Sequence, residues 1–236
     1  MSHFACKVAC LVAALALAPL GRSTEPRSLT IIMQFEHRYS AASVEEMKVE
    51  FERIVLPAKL RLEWLMVDGL TGRETFQQIV IVHFKGDCEA DHTAAATRSS
   101  QRLGLTHIVG DALSPFTELD CGQIRSLMAQ NQAAETTIQF ARLLGRAMAR
   151  VLAHEVYHAV LKTTQHGPRG ITKASLTRAD LFSGTLRFEP DQIARLGDAL
   201  TSFAAVHDRS AVTSVVLPVN AKAALIPVAS RLASTN

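Results

Sequence analysis

The chain has 236 residues, a formal charge of +3 and 48% apolar residues. That length carries one domain, or one domain with a small appendage, and the apolar content suffices for a packed core. So slight a charge, with no basic run and no aromatic platform, excludes a dedicated nucleic-acid binder. A glycine-rich phosphate loop, a G-x-S-x-G elbow and an internal repeat are also missing from the sequence.

Residues 1–7 contain one lysine and no acid, residues 8–20 form an apolar run, and Gly21-Arg22-Ser23 returns to polar sequence. This is the pattern of a secretory signal peptide over residues 1–23, too short for a membrane span. The expected protein is exported, secreted or periplasmic, with no stable membrane insertion after signal removal. Cys6 and Cys10 leave with the signal, so the mature chain keeps Cys88 and Cys121. An even pair in an exported protein predicts a disulfide. Two extra metal ligands are the weaker alternative, because the pair has no C-x-x-C spacing.

Residues 29–35, Leu-Thr-Ile-Ile-Met-Gln-Phe, read as a strand. A helix follows through Val55, with Ser43 as N-cap, Glu46 closing a capping box, and Pro57 as its stop. Residues 60–67 read as a second strand. Residues 76–84, around Ile79-Val80-Ile81-Val82, read as a buried third strand. A loop over 85–102 leads to a fourth strand at 106–113, with Gly110 marking a bulge.

Residues 136–163 form the longest helical pattern, without proline and with Gly145 as the one internal glycine. Leu144, Met148, Val151, Leu152, Val156 and Ala159 fall on one side, and Arg142, Arg146 and Arg150 on the other. The arginine stripe reads as a solvated face with acidic partners. Within this helix, residues 154–158 read His-Glu-Val-Tyr-His, the H-E-x-x-H arrangement of zinc peptidases. Residues four apart on a helix share a face, so His154 and His158 aim two imidazoles at one metal ion. They lie at the border between core and solvent, where a cleft floor belongs. Glu155 sits about 100° around the helix, placed to take a proton from a metal-activated water. Tyr157, nearby, is a candidate stabiliser of the transition state.

A catalytic zinc takes three protein ligands. Gly167, Pro168 and Gly170 turn the chain after the helix, and His166 stands directly before that turn. His166 is the first choice for third ligand, with Asp180, Glu189 and Asp191 as alternatives. Short helices are predicted over 176–181 and 190–200, capped by Thr177 and by Glu189 or Asp191. Residues 209–236 form a tail rich in Ala, Val and Ser.

The helix motif followed closely by another histidine resembles the metzincin clan of zinc endopeptidases, as does the upstream order of one strand, one helix and three strands. Metzincins carry a turning glycine where this chain has Leu161, and a third histidine where it has Thr164. They also carry a methionine turn beneath the metal, whereas no methionine follows Met148. One extra turn of helix would bring His166, two residues late, back to the metal. The resemblance implies an α+β, zincin-like mixed sheet with an active-site helix, forming a catalytic domain over residues 24–208. It implies that the fourth strand is an antiparallel edge above the cleft, able to pair with an extended substrate. The function so implied is an exported zinc endopeptidase acting on peptides or proteins, with His154, His158 and His166 on Zn2+ and Glu155 as general base. Two alternatives stand beside it: a secreted zinc-binding interaction domain without turnover, and a zinc amidohydrolase acting on a non-peptide substrate.

Overall fold

A computed structural model describes residues 27–91, 102–109, 112–129, 136–182 and 184–207. The expected signal segment 1–23 and the tail 209–236 lie outside the described residues. The elements run β1 (Ser28–Phe35), α1 (Ala41–Val55), β2 (Arg61–Met66), β3 (Ile79–Lys85), β4 (Gly104–Val109), β5 (Ala112–Asp120), α2 (Cys121–Ala129), α3 (Thr137–Leu161), α4 (Arg178–Phe182) and α5 (Pro190–His207). The strands form one mixed sheet in the order β2-β1-β3-β5-β4, in which β4 alone runs antiparallel to its neighbour. The five-stranded mixed sheet with its helices is the α+β arrangement expected from the sequence.

The near-continuous apolar runs of β1 and β3 arise because both faces of the central strands are covered. Leu29, Ile31 and Met33 of β1, with Val80, Val82 and Phe84 of β3, pack in one core with Met47 and Phe51 of α1 and Leu144, Met148 and Leu152 of α3. Ile32, Ile79 and Ile81 point to the opposite face and form a smaller cluster with Leu65 and Phe116. Each fully buried large side chain contributes about 2 kcal/mol by removal from water. Gly145 lets α1 and α3 cross closely: a Cβ there would collide with the Ser43 carbonyl and come within 2.7 Å of Glu46 Cβ.

Three local expectations are corrected. The N-cap of α1 is Ser40, whose hydroxyl accepts the Ser43 N–H at 3.2 Å. Ser43 is instead the third helical residue, buried against α3. The stretch 106–113 is not one strand but the two arms of a hairpin, paired as far as Val109 with Ala112. Gly110 lies outside the described residues, and the ladder's irregularity falls elsewhere. Thr106 faces Thr117 while Ile108 faces Leu113, so the extra residues sit in β5 around Pro115. Proline has no N–H to give the ladder, and a bulge tolerates it inside a sheet. Finally, Arg150 is not solvated. Its guanidinium is 0% exposed and donates from Nε to Glu50 Oε1 at 3.0 Å, from Nη1 to Asp180 O at 2.6 Å and from Nη2 to Gly184 O at 2.8 Å. It thereby ties α3 to α1 and to the segment around α4. Arg142 is exposed and Arg146 half-buried.

The predicted disulfide joins Cys88 to Cys121, across a sequence separation of 33 residues. It fastens the loop after β3 to the start of α2. Arg125 of α2 reinforces the same junction by donating to the carbonyls of Asp87 and Asp91 at 3.2 and 2.6 Å. Among the described residues, no helix is long and apolar enough to cross a membrane.

Candidate metal centre

α3 begins where the sequence signals it. Thr136 caps it, its hydroxyl accepting the Gln139 N–H at 3.3 Å while the Gln139 side chain accepts the Thr136 N–H at 3.1 Å. It ends at Leu161, and Lys162 takes the left-handed conformation with φ 52°. That conformation costs a non-glycine residue about 1–2 kcal/mol. The helix therefore does not gain the extra turn that the late third histidine suggested. Non-helical residues 163–165 absorb the additional length and bring His166 back. The loop is then pinned by the Gly167 N–H, which donates to Thr172 O at 2.9 Å.

The imidazoles of His154, His158 and His166 converge: their ligand atoms lie within 4.8 Å of one another. His154 is half-buried, His158 buried and His166 exposed. The alternative carboxylates are elsewhere. Asp180 is held by Lys173 at 2.6 Å and by Thr177 at 2.6 Å, and Glu189 faces Arg169 at 3.6 Å. Asp191 is an exposed residue in the first turn of α5.

The protonation of the pair on α3 follows from its partners. His154 Nδ1 lies 2.7 Å from Ile171 O, and His158 Nδ1 lies 2.6 Å from Thr163 O. A carbonyl only accepts, so each Nδ1 carries the proton and each neutral ring presents a bare lone pair at Nε2. Those two Nε2 atoms face each other at 3.0 Å. Two lone pairs at that distance repel unless a cation lies between them. Tetrahedral zinc, with bonds of about 2.0–2.1 Å, sets its ligand nitrogens roughly 3.3 Å apart, close to the spacing already present. Backbone carbonyls on the outer nitrogens are the usual means of orienting metal-binding imidazoles. Burial lowers the pKa of His154 to about 4, with the neighbouring His158 and His166 lowering it further against the Ile171 carbonyl. Burial likewise lowers the pKa of His158. The pair is thus kept in the neutral, ligating form. The donor set fits a borderline ion such as zinc.

The carbonyl that orients His154 belongs to a one-turn 3-10 helix, Gly170–Thr172. Sequence reasoning missed it. The signal is Gly167-Pro168-Arg169-Gly170, which predicts a turn in the chain but not the carbonyl it presents to His154.

Glu155 is 6% exposed, beneath β4. Burial raises its pKa to about 7, with Thr106 of β4 opposing the shift by donating to Glu155 Oε2 at 2.7 Å. Tyr157 does not reach the cleft. It is buried, with its ring 5.6 Å from that of Phe188, so its candidacy as a transition-state stabiliser is withdrawn. The histidines and Glu155 open onto a cleft of about 580 Å³, walled by Gly104 and Thr106 of β4, Leu127 of α2 and Leu176 before α4. As expected, the antiparallel edge of the sheet borders this cleft.

No protein-family model matches the chain, and no curated protein does. Among solved structures, the chain is similar to archaemetzincin from Methanopyrus kandleri, with a TM-score of 0.46 and 9% sequence identity, over 77% of this chain and 98% of that one.

What the arrangement can do chemically follows from the side chains themselves. The neutral imidazoles can hold a divalent cation, the neighbouring carboxylate can exchange a proton, and the edge strand offers main-chain groups to an extended ligand.

Proposed function

We propose that this chain is an exported zinc-dependent endopeptidase. The observation that carries the reading is the pair of Nε2 lone pairs opposed at 3.0 Å, with both Nδ1 atoms committed to backbone carbonyls and His166 closing the group. Zinc held there would supply a Lewis acid, polarising a scissile carbonyl and making a water molecule acidic near neutral pH. His154, His158 and His166 would hold the cation, and the Ile171 and Thr163 carbonyls would keep the first two rings turned to it. Glu155 takes the proton as water attacks the carbonyl carbon and returns it to the departing amine nitrogen. The edge of β4 aligns an extended peptide along the cleft by main-chain pairing. Export is supported by the signal-like residues 1–23 and by the disulfide between Cys88 and Cys121.

Glu155→Gln tests the assignment of roles. The variant keeps its zinc and loses turnover of fluorescein-labelled casein by roughly a hundred- to ten-thousandfold, the range for loss of a general base. Undiminished hydrolysis by the zinc-loaded variant would remove Glu155 from the mechanism.

A further inference from the structure

Two residues of β4, neither part of the H-E-x-x-H segment, converge on the Glu155 carboxylate. Thr106 Oγ1 lies 2.7 Å from Glu155 Oε2, and both side chains are buried. The same hydroxyl is 3.1 Å from the Glu155 carbonyl oxygen. A hydroxyl has one proton, so it serves one of the two. The carboxylate oxygen is nearer, and a hydrogen bond to a charged acceptor is the stronger. Two positions earlier on the strand stands Gly104. A Cβ built there would come 2.6 Å from Glu155 Oε1, 2.8 Å from its Cγ and 2.9 Å from Val151 Cγ1. Residues two apart on a strand point the same way. One face of β4 therefore supplies a donor for one carboxylate oxygen and an empty space for the other.

We infer that Gly104 and Thr106 are positioning residues that fix the rotamer of the Glu155 carboxylate, so that the edge strand both borders the cleft and aims its general base. The inference rests on the reading of Glu155 given above. Glutamate in a helix has three rotatable side-chain bonds, and a base off its productive geometry loses rate steeply. The Thr106 hydroxyl removes that freedom from one side. Gly104 removes the obstacle that any other residue would place on the other side. The absent side chain at 104 and the hydroxyl at 106 then belong to the site as much as to the sheet.

The test uses zinc-loaded Thr106→Val, Thr106→Ser and Gly104→Ala beside wild type. Three quantities are read: zinc per chain, kcat and KM on fluorescein-labelled casein, and the infrared carboxylate stretch that disappears in Glu155→Gln. In Thr106→Val, zinc content stays, the band shifts, and kcat falls about ten- to a hundredfold with little change in KM, as expected for loss of a hydrogen bond to a charged group. Thr106→Ser restores both band and rate, which a purely structural role of the strand would not require. Gly104→Ala moves the band as well. An unshifted band in Thr106→Val, or full kcat in that variant, would overturn the inference. If wild type carries zinc and hydrolyses nothing while the band still shifts and recovers, the positioning stands and the peptidase reading falls.

Discussion

Replacing Glu50 by glutamine should unfold this protein far more easily than an ordinary surface substitution, because the charge it neutralises belongs to a guanidinium without access to water. Arg150 is 0% exposed and Glu50 5%. Arg53 also binds the Glu50 carboxylate, at 2.9 and 2.8 Å, but is itself partly solvated and can turn outward. Arg150 cannot, since its other nitrogens are held by the carbonyls of Asp180 and Gly184. Removing one partner of a buried pair costs about 3–5 kcal/mol, mostly from the charge left behind. For a domain of this size each kcal/mol moves Tm by about 2–4 °C, so the midpoint should fall by roughly 10 °C. Urea denaturation of the metal-free protein, followed by circular dichroism, measures the loss directly. Arg150→Met and the double substitution complete the cycle, and the double should cost at least about 1 kcal/mol less than the sum of the singles. A loss below about 1 kcal/mol in Glu50→Gln is what a solvent-exposed pair gives. That value would refute the buried ion pair and restore the solvated arginine face that the sequence suggests.

Two further outcomes are expected. Replacing Cys88 and Cys121 together by serine should cost about 4 kcal/mol in the chain-entropy model, given their separation of 33 residues. Zinc content should be kept, because the histidines rest on α3 and the following turn, and calorimetry beside metal analysis checks both parts. The second outcome concerns pH in the metal-free protein. His154 has a pKa lowered to about 4, so as pH falls from 6.5 the unfolded chain takes up a proton that the folded one refuses, and stability is lost. Glu155 has a pKa raised to about 7, so the folded chain takes up its proton first and stability is gained as pH falls from 7 towards 4.5. The two oppose each other in wild type. Glu155→Gln should therefore lose stability more steeply between pH 7 and 4.5, by something on the order of 3 kcal/mol across the range. Parallel urea midpoints for the two proteins would contradict this.

The motif helix was legible because its signals are local. The apolar stripe and the i, i+4 histidines each require only a few neighbouring residues. The Cys88–Cys121 pairing was legible by arithmetic, as the only cysteines left after the expected signal segment. Arg150 was misread because helical periodicity gives its direction but not what lies there. Its acidic partner Glu50 is 100 residues away in sequence. The β4–β5 hairpin was missed for a different reason. Gly110-Asp111 between apolar runs is a hairpin signal, yet Pro115 in the second run argues locally against a central strand. Only the bulge opposite His107 reconciles the two. The contribution of Gly104 and Thr106 to the site was invisible for the same reason as Arg150, since it depends on β4 lying over α3.

The most direct test is the metal content of the purified mature protein, measured by elemental analysis for wild type and for His154→Ala, His158→Ala and His166→Ala. A three-histidine centre predicts about one zinc per chain in wild type and a marked loss in each variant. Zinc retained in His166→Ala would break the proposed ligand set. No zinc in wild type, even after reconstitution, would contradict the central claim and leave the opposed lone pairs of His154 and His158 without their cation.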